Sequence, residues 1–190
     1  QLIAGGANVT AVDLSAGRLE RLKENLTRLN MSADIITANI LSWSPDKPVD
    51  AVLIDAPCSA TGTIRRNPDK LVHAKPSDIA MLGNLQTDMI SHAATWLKPG
   101  GILVFATCSL FRAEGEDIAA RIAEDTDLIP DPVDPHIYDG FAPAAGNDPH
   151  MLRLFPDALI MPDHAITTAD NENTMTHGND GFFMARFHRQ

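Results

Sequence analysis

Two near-continuous apolar runs, Val49–Ile54 (VDAVLI) and Ile102–Ala106 (ILVFA), each pass directly into a polar loop that carries a cysteine. The loops read Asp55-Ala56-Pro57-Cys58-Ser59 and Thr107-Cys108-Ser109. Apolar runs this short, without alternation, are strands covered on both faces, the usual state of a parallel sheet. Helical segments separate them. Leu19, Leu22, Leu26 and Leu29 fall at helical spacing behind Ser15, a candidate N-cap. Pro76-Ser77-Asp78 opens a second helix whose apolar face is expected to hold Ile79, Leu82, Leu85, Met89, Ala93 and Leu97. Lys98-Pro99-Gly100-Gly101 should stop it. Ala113–Glu124 is a further helical stretch, and Asn8–Leu14 and Ala33–Ile40 read as strands. This alternation predicts an α/β fold with a mostly parallel sheet.

From Pro130 to about residue 179 the periodicity weakens, and the segment reads as loop with one strand near Leu159–Met161. A last strand, Phe182–Phe187, follows Gly178-Asn179-Asp180-Gly181, a hairpin-like turn signal. The seven histidines, His73, His92, His136, His150, His164, His177 and His188, show no metal-ligand spacing and are expected at the surface. No metal site is expected. No apolar run is long enough for a membrane helix, and two cysteines are too few for a disulfide scaffold, so a reducing, cytoplasmic setting is expected.

In open parallel sheets, ligands bind beyond the carboxyl ends of the strands. Asp13, Asn39, Asp55 with Cys58, and Cys108 all stand at such ends. Asp and Asn there could serve as caps alone. Asp13 also suits the ribose hydroxyls of an adenosine, a device shared by dehydrogenases and methyltransferases. The two cysteines discriminate better. Core cysteines lie within strands, whereas these lie on two strand-end loops, and if the strands are neighbours both thiols face one crevice. CxxC redox spacing is absent.

Asp55-Ala56-Pro57-Cys58-Ser59-Ala60-Thr61-Gly62 and Ala106-Thr107-Cys108-Ser109 closely resemble the two signature motifs of the Sun/RsmB-type RNA cytosine-C5 methyltransferases. Thr63–Asp69, Leu97–Gly101 and Asn179–Phe183 extend the resemblance, which covers most of residues 8–125 and resumes at the C-terminus. It implies a Rossmann-like class I methyltransferase fold with an antiparallel C-terminal strand and S-adenosylmethionine as cofactor. It implies that Cys108 adds to C6 of a cytosine, that C5 then attacks the methyl group, and that Cys58 assists product release. Asp55 would bond the base near N3 and lie beside the cofactor. Asp13 matches the ribose-binding acid. Asn39 stands where the family commonly has Asp near the adenine, and its carbonyl can still accept. Arg65 and Arg66 match an RNA-facing loop, although a solvated basic turn would look the same. The helix after Ala113 is expected to help form the Cys108 thiolate, and the target base must be unstacked.

The resemblance also implies pieces not seen here. The family's first strand and glycine-rich loop should lie before Gln1, and Gln1–Ala4 should be the tail of the helix that follows. Without that central strand, two half-sheets would show unpaired edges. A truncated catalytic domain over 1–190 is therefore expected, preceded by an extension that usually includes an RNA-binding domain. Such a domain would account for RNA binding by a chain of formal charge −10, which argues against a broad electrostatic grip on phosphates. The expected partner is RNA, with small-subunit ribosomal RNA favoured and transfer RNA the rival. Three other readings stay open. One is a DNA cytosine-C5 methyltransferase attacking through Cys58. Another is a non-catalytic α/β module binding RNA or protein. The third, more distant, is a dehydrogenase.

Overall fold

The computed structural model describes residues 1–133, the backbone of 142–144, and residues 148–156 and 180–190. The chain divides into two compact units, Gln1–Asp46 and Lys47–Gln190.

The first unit is one strand–helix–strand turn. β1 (Thr10–Asp13) leads into α1 (Ala16–Arg28), and β2 (Asp34–Thr37) returns parallel to β1, with Asp13 beside Thr37. Ser15 caps α1 as its sequence suggests, its Oγ accepting from the Arg18 backbone N–H at 3.4 Å. Leu19 and Leu26 form the buried stripe of α1, while Leu29, one turn on, is the C-cap and half exposed.

The second unit is a six-stranded mixed sheet. β3 (Val49–Asp55) pairs in parallel with β4 (Leu97–Thr107), register Asp55 to Ala106. β8 (Phe182–Arg189) lies antiparallel on the far side of β4, followed by β7 (Asp148–Leu154) and β6 (Ala142–Ala144), and β5 (Leu128–Pro130) also pairs with β8. The antiparallel last strand is as expected. Residues 155–181 separate it in sequence from its sheet neighbour β7, and Gly178 and Asn179 of the expected turn lie outside the described residues. Leu103, Phe105, Phe183 and Phe187 form the fully buried centre. Both faces of β4 are shielded, but β3 is an edge strand among the described residues, and Leu53 is 57% exposed.

Four local expectations are corrected. The helix α3 (Pro76–Ala94) ends before Trp96 and Leu97, which turn into the core, so Leu97 opens β4 beside Val49. Its buried stripe is Gly83, Gln86, Ile90 and Ala93, one position round from the expected Leu82–Leu85–Met89 face. The segment after Pro130 contains β7, which was hidden because its buried positions include His150 and Arg153. Finally, His150 is not a surface residue: it is 2% exposed, its Nδ1 hydrogen-bonded to the Asp148 carboxylate. His73 is exposed, as expected. The Leu159–Met161 segment and His136, His164 and His177 lie outside the described residues. Among the described residues no helix is long and apolar enough to cross a membrane.

Three short elements and one further helix complete the unit. A 3₁₀ turn (Thr61–Thr63) and α2 (Asp69–His73) follow β3, and a 3₁₀ turn (Arg112–Glu114) follows β4 ahead of α4 (Glu116–Asp125).

Candidate active site at the carboxyl ends of β3 and β4

Because β3 and β4 are parallel neighbours in matched register, the loops after Asp55 and Ala106 leave the sheet side by side. The consequence is direct contact between the two thiols: Cys58 Sγ and Cys108 Sγ are 3.5 Å apart, both half-buried. They are separated by fifty positions in sequence, yet the fold brings them together.

Two thiols at this distance cannot both ionise, since two adjacent negative charges repel. The hydrogen bond from Cys58 draws Cys108 down from its ordinary 9.0 to about 7, against the opposing effects of burial and of the nearby Asp55 charge. The same bond, with burial, pushes Cys58 up. Cys108 is thus the more acidic member of the pair and Cys58 the less acidic. The helix expected to help the Cys108 thiolate starts well after that residue. α4 begins only at Glu116, and its first turn carries Glu116 and Asp117, whose charges offset its dipole.

Asp55 is exposed at the end of β3, three residues before Cys58. Arg65 and Arg66 lie on the loop after the Thr61–Thr63 turn and are both exposed. They converge on Asp180, just before β8. Arg66 Nε donates to Asp180 Oδ2 at 2.9 Å, and Arg65 Nη2 lies 3.9 Å from Oδ1. The Arg66 bonds hold Asp180 below the usual carboxylate range and raise Arg66 in turn. A phosphate reaching Arg66 must therefore compete with Asp180.

Several residues around the cysteines were not singled out by motif reasoning. Glu114 is fully buried, and its carboxylate accepts from the Ser59 N–H and from the Ser59 and Ser109 hydroxyls. Gln86 donates to the Pro57 carbonyl at 2.8 Å, which explains why a polar residue occupies the buried stripe of α3. Arg153 of β7 donates to the Ser109 carbonyl at 2.8 Å while paired with the buried Glu116 carboxylate. Burial alone would push Glu116 up, but the Arg153 bonds hold it below its ordinary value.

Gly62 sits where three backbones meet. Its N–H donates to the Cys108 carbonyl at 2.8 Å, and its own carbonyl accepts from Gly181 N–H at 2.7 Å. A Cβ on Gly62 would lie 2.1 Å from the Gly181 carbonyl oxygen, so no side chain fits. In the sequence these are only two separate glycines, Gly62 ending the first motif and Gly181 within Asn179–Phe183.

Asp13 and Asn39 belong to the first unit. Asp13 Oδ1 accepts from the Ser15 N–H at 2.7 Å and from Arg18 Nη2 at 2.9 Å, while its Oδ2 has no partner among the described residues. Asn39 is exposed, and its Oδ1 accepts from the Leu41 N–H at 3.0 Å. One free carboxylate oxygen and one free side-chain amide N–H₂ at adjacent parallel strand ends fit an adenosine: the first suits a ribose hydroxyl, the second a ring nitrogen.

A parallel strand pair with reactive side chains at its carboxyl ends, closed by an antiparallel last strand, defines a Rossmann-like methyltransferase fold. Two solved structures share it. A methyltransferase homologue from Pyrococcus horikoshii is 26% identical with TM-score 0.71, covering 97% of this chain and 54% of its own. NSun6 from P. horikoshii, solved with SFG, is 24% identical with TM-score 0.76, covering 96% and 41%. The family model of the 16S rRNA methyltransferases RsmB/F matches residues 1–188, and the chain belongs to that family. It is similar to ribosomal RNA small subunit methyltransferase B of Shewanella oneidensis, 48% identical over 121 residues, which cover 62% of this chain and 28% of that protein. The matched stretch spans less than a third of the length of such curated relatives.

Proposed function

We propose that the protein of which this chain is part transfers a methyl group from S-adenosylmethionine to C5 of a cytosine in RNA, with Cys108 as nucleophile. Ribosomal RNA of the small subunit is the favoured substrate, in keeping with the relatives. The observation that carries the reading is the thiol pair in contact, with Cys108 the more acidic member.

The chain's residues suit the chemistry. Cytosine C5 is a poor nucleophile until a thiolate adds to C6. Cys108 Sγ forms that bond, and the C5–C6 electron pair shifts so that C5 becomes enamine-like. S-adenosylmethionine, when bound, would supply an electrophilic methyl group, its S–CH3 bond breaking as the C5–CH3 bond forms and S-adenosylhomocysteine leaving. A base removes the C5 proton, the double bond reforms, and Cys108 leaves as the thiolate it was. Its pKa near 7 balances attack against departure, because a more basic thiolate would leave more slowly. Cys58, still protonated and in contact, stabilises the departing sulfur by hydrogen bonding, which matches a role in product release. Asp55 is assigned to the base near N3 and to the cofactor, Asp13 and Asn39 to the cofactor's adenosine, and Arg65 and Arg66 to RNA phosphate. The free Nδ2 of Asn39 makes it a donor to adenine, in addition to the acceptor role expected from its sequence.

An RNA substrate carrying 5-fluorocytosine tests this, since fluorine at C5 cannot be removed as a proton and the adduct persists. The trapped complex should form with the wild type and disappear in Cys108→Ala. Cys58→Ala should instead retain it, and accumulate it even with unmodified cytosine. Loss of the adduct in Cys58→Ala alone overturns the assignment in favour of the DNA-type mechanism. Methyl transfer absent from the full-length protein, with RNA binding intact, would favour a non-catalytic module.

A further inference from the structure

The β3–β4 ladder ends one residue beyond Asp55, at the bond from Ala56 N–H to the Ala106 carbonyl. Beyond it, the two loops share a backbone bond from the Gly62 N–H to the Cys108 carbonyl at 2.8 Å, but among the described residues no backbone–backbone hydrogen bond joins residues 57–59 to 107–109. The sheet therefore sets where the two loops start but does not by itself hold the sulfurs in contact. A side chain spans the gap. Glu114 Oε1 accepts from the Ser59 N–H at 2.9 Å, and Oε2 accepts from Ser59 Oγ at 2.5 Å and Ser109 Oγ at 2.6 Å. Ser59 directly follows Cys58, and Ser109 directly follows Cys108.

We propose that Glu114 is a positioning residue: its buried carboxylate ties Ser59 to Ser109 and so holds the Cys58 and Cys108 thiols in contact. A carboxylate is rigid, accepts several bonds at once, and makes strong ones when charged. Buried and engaged by three donors, it fixes the separation of Ser59 and Ser109, the residues next to the two cysteines. The cluster is closed further. Ser109 Oγ accepts from the Phe111 N–H at 3.1 Å and lies 3.4 Å from Thr61 Oγ1, which accepts from the Leu110 N–H. Thr107 Oγ1 donates to the Glu114 carbonyl at 3.0 Å, anchoring the residue that carries the clamp. Glu114 touches neither thiol, so its effect on them passes through the serines.

The consequence for catalysis rests on the proposed function, but the clamp itself can be read without any methyl transfer. Peptide-resolved alkylation of Cys58 and Cys108 by iodoacetamide, followed between about pH 5 and pH 9, reports the thiolate fraction of each. In the wild-type protein Cys108 should inflect near pH 7. Glu114→Ala should move that inflection up by about one unit or more and slow Cys108 alkylation at neutral pH about tenfold. Glu114→Gln should stay within about threefold of wild type, because its amide can donate to both hydroxyls while its carbonyl keeps the Ser59 N–H. Leu128→Ala serves as the comparison for a purely structural loss. It empties a buried site on β5, which pairs at the Arg189 end of β8, whereas Thr107 pairs with Phe183 at the other. It should lower stability and leave the inflection in place. Should Glu114→Ala fail to fold, Ser109→Ala removes one arm of the clamp and should raise the inflection in the same direction. An unmoved inflection in either folded variant, or an equal shift in Leu128→Ala, overturns the proposal. Absent methyl transfer by a wild type whose thiols behave as described would count against the proposed function and leave the clamp standing.

Discussion

The two regions assigned to chemistry are built in opposite ways. At the ends of β1 and β2, Asp13 and Asn39 are held by bonds to residues two to five positions away, and both side chains keep a free polar group. At the ends of β3 and β4, the cysteines are held by partners about fifty positions distant, several of them fully buried. The contrast follows from what each must do. A nucleotide brings its own rigidity and can be met by exposed groups on local turns. A thiol pair that shares one proton depends on a distance, and distances between loops survive only when buried, long-range contacts enforce them.

Substitutions can break this contrast, starting with the largest effect. Arg153→Leu strands the buried Glu116 carboxylate and frees the Ser109 carbonyl, so it should cost about 3–5 kcal/mol in urea unfolding at pH 7. The pH dependence gives the sign. In the wild type Glu116 is held below its ordinary value, so its contribution is present above that value and lost as pH falls through the lower folded one. In the variant only burial remains and Glu116 moves up, so the gap between the two proteins should narrow toward about pH 4. Gly62→Ala should cost about 3 kcal/mol, because the clash is with the Gly181 backbone and no side chain can yield.

Cys58→Ala should change stability little by comparison. It removes the hydrogen bond that acidifies Cys108, so the Cys108 inflection should climb from about 7 toward 9.0. Alkylation at neutral pH should then slow by more than about tenfold. On the local side, Asp13→Ala should unfold within about 1 kcal/mol of wild type. It should nonetheless weaken S-adenosylmethionine binding by about tenfold in isothermal titration of the full-length protein. The smallest effect belongs to Gly17→Ala in α1, where a Cβ meets only Ser15 Oγ at 4.0 Å. It should stabilise by about 0.5 kcal/mol. If Gly17→Ala and Gly62→Ala cost the same, the division between local and long-range construction fails.

Much of the fold was legible because its signals are local. The Ser15 cap and the period of α1, the Pro76 helix start and the two apolar strands all lie within a few residues of the groups they organise. What the sequence leaves hidden is polar burial. α3 turns Gln86 inward to satisfy the Pro57 carbonyl, in place of its larger apolar residues. Arg153 and His150 interrupt the apolar pattern of β7, yet both are buried with carboxylate partners, Glu116 far along the chain and Asp148 two residues away. A polar residue buried against a partner looks, in sequence, like a surface residue.

The amino-acid sequence alone determined which residue types are available for chemistry and that both cysteines stand at strand ends. Hydrophobic runs and turn residues act over short stretches of chain, so they can be read in order. Only the tertiary structure decided that the thiols touch, which of them is the more acidic, and that Glu114, Gln86 and Arg153 bond to the loops that carry them. Those outcomes depend on hydrogen bonds and desolvation between groups far apart along the chain. Such pairings leave no period and no spacing from which they could be foretold.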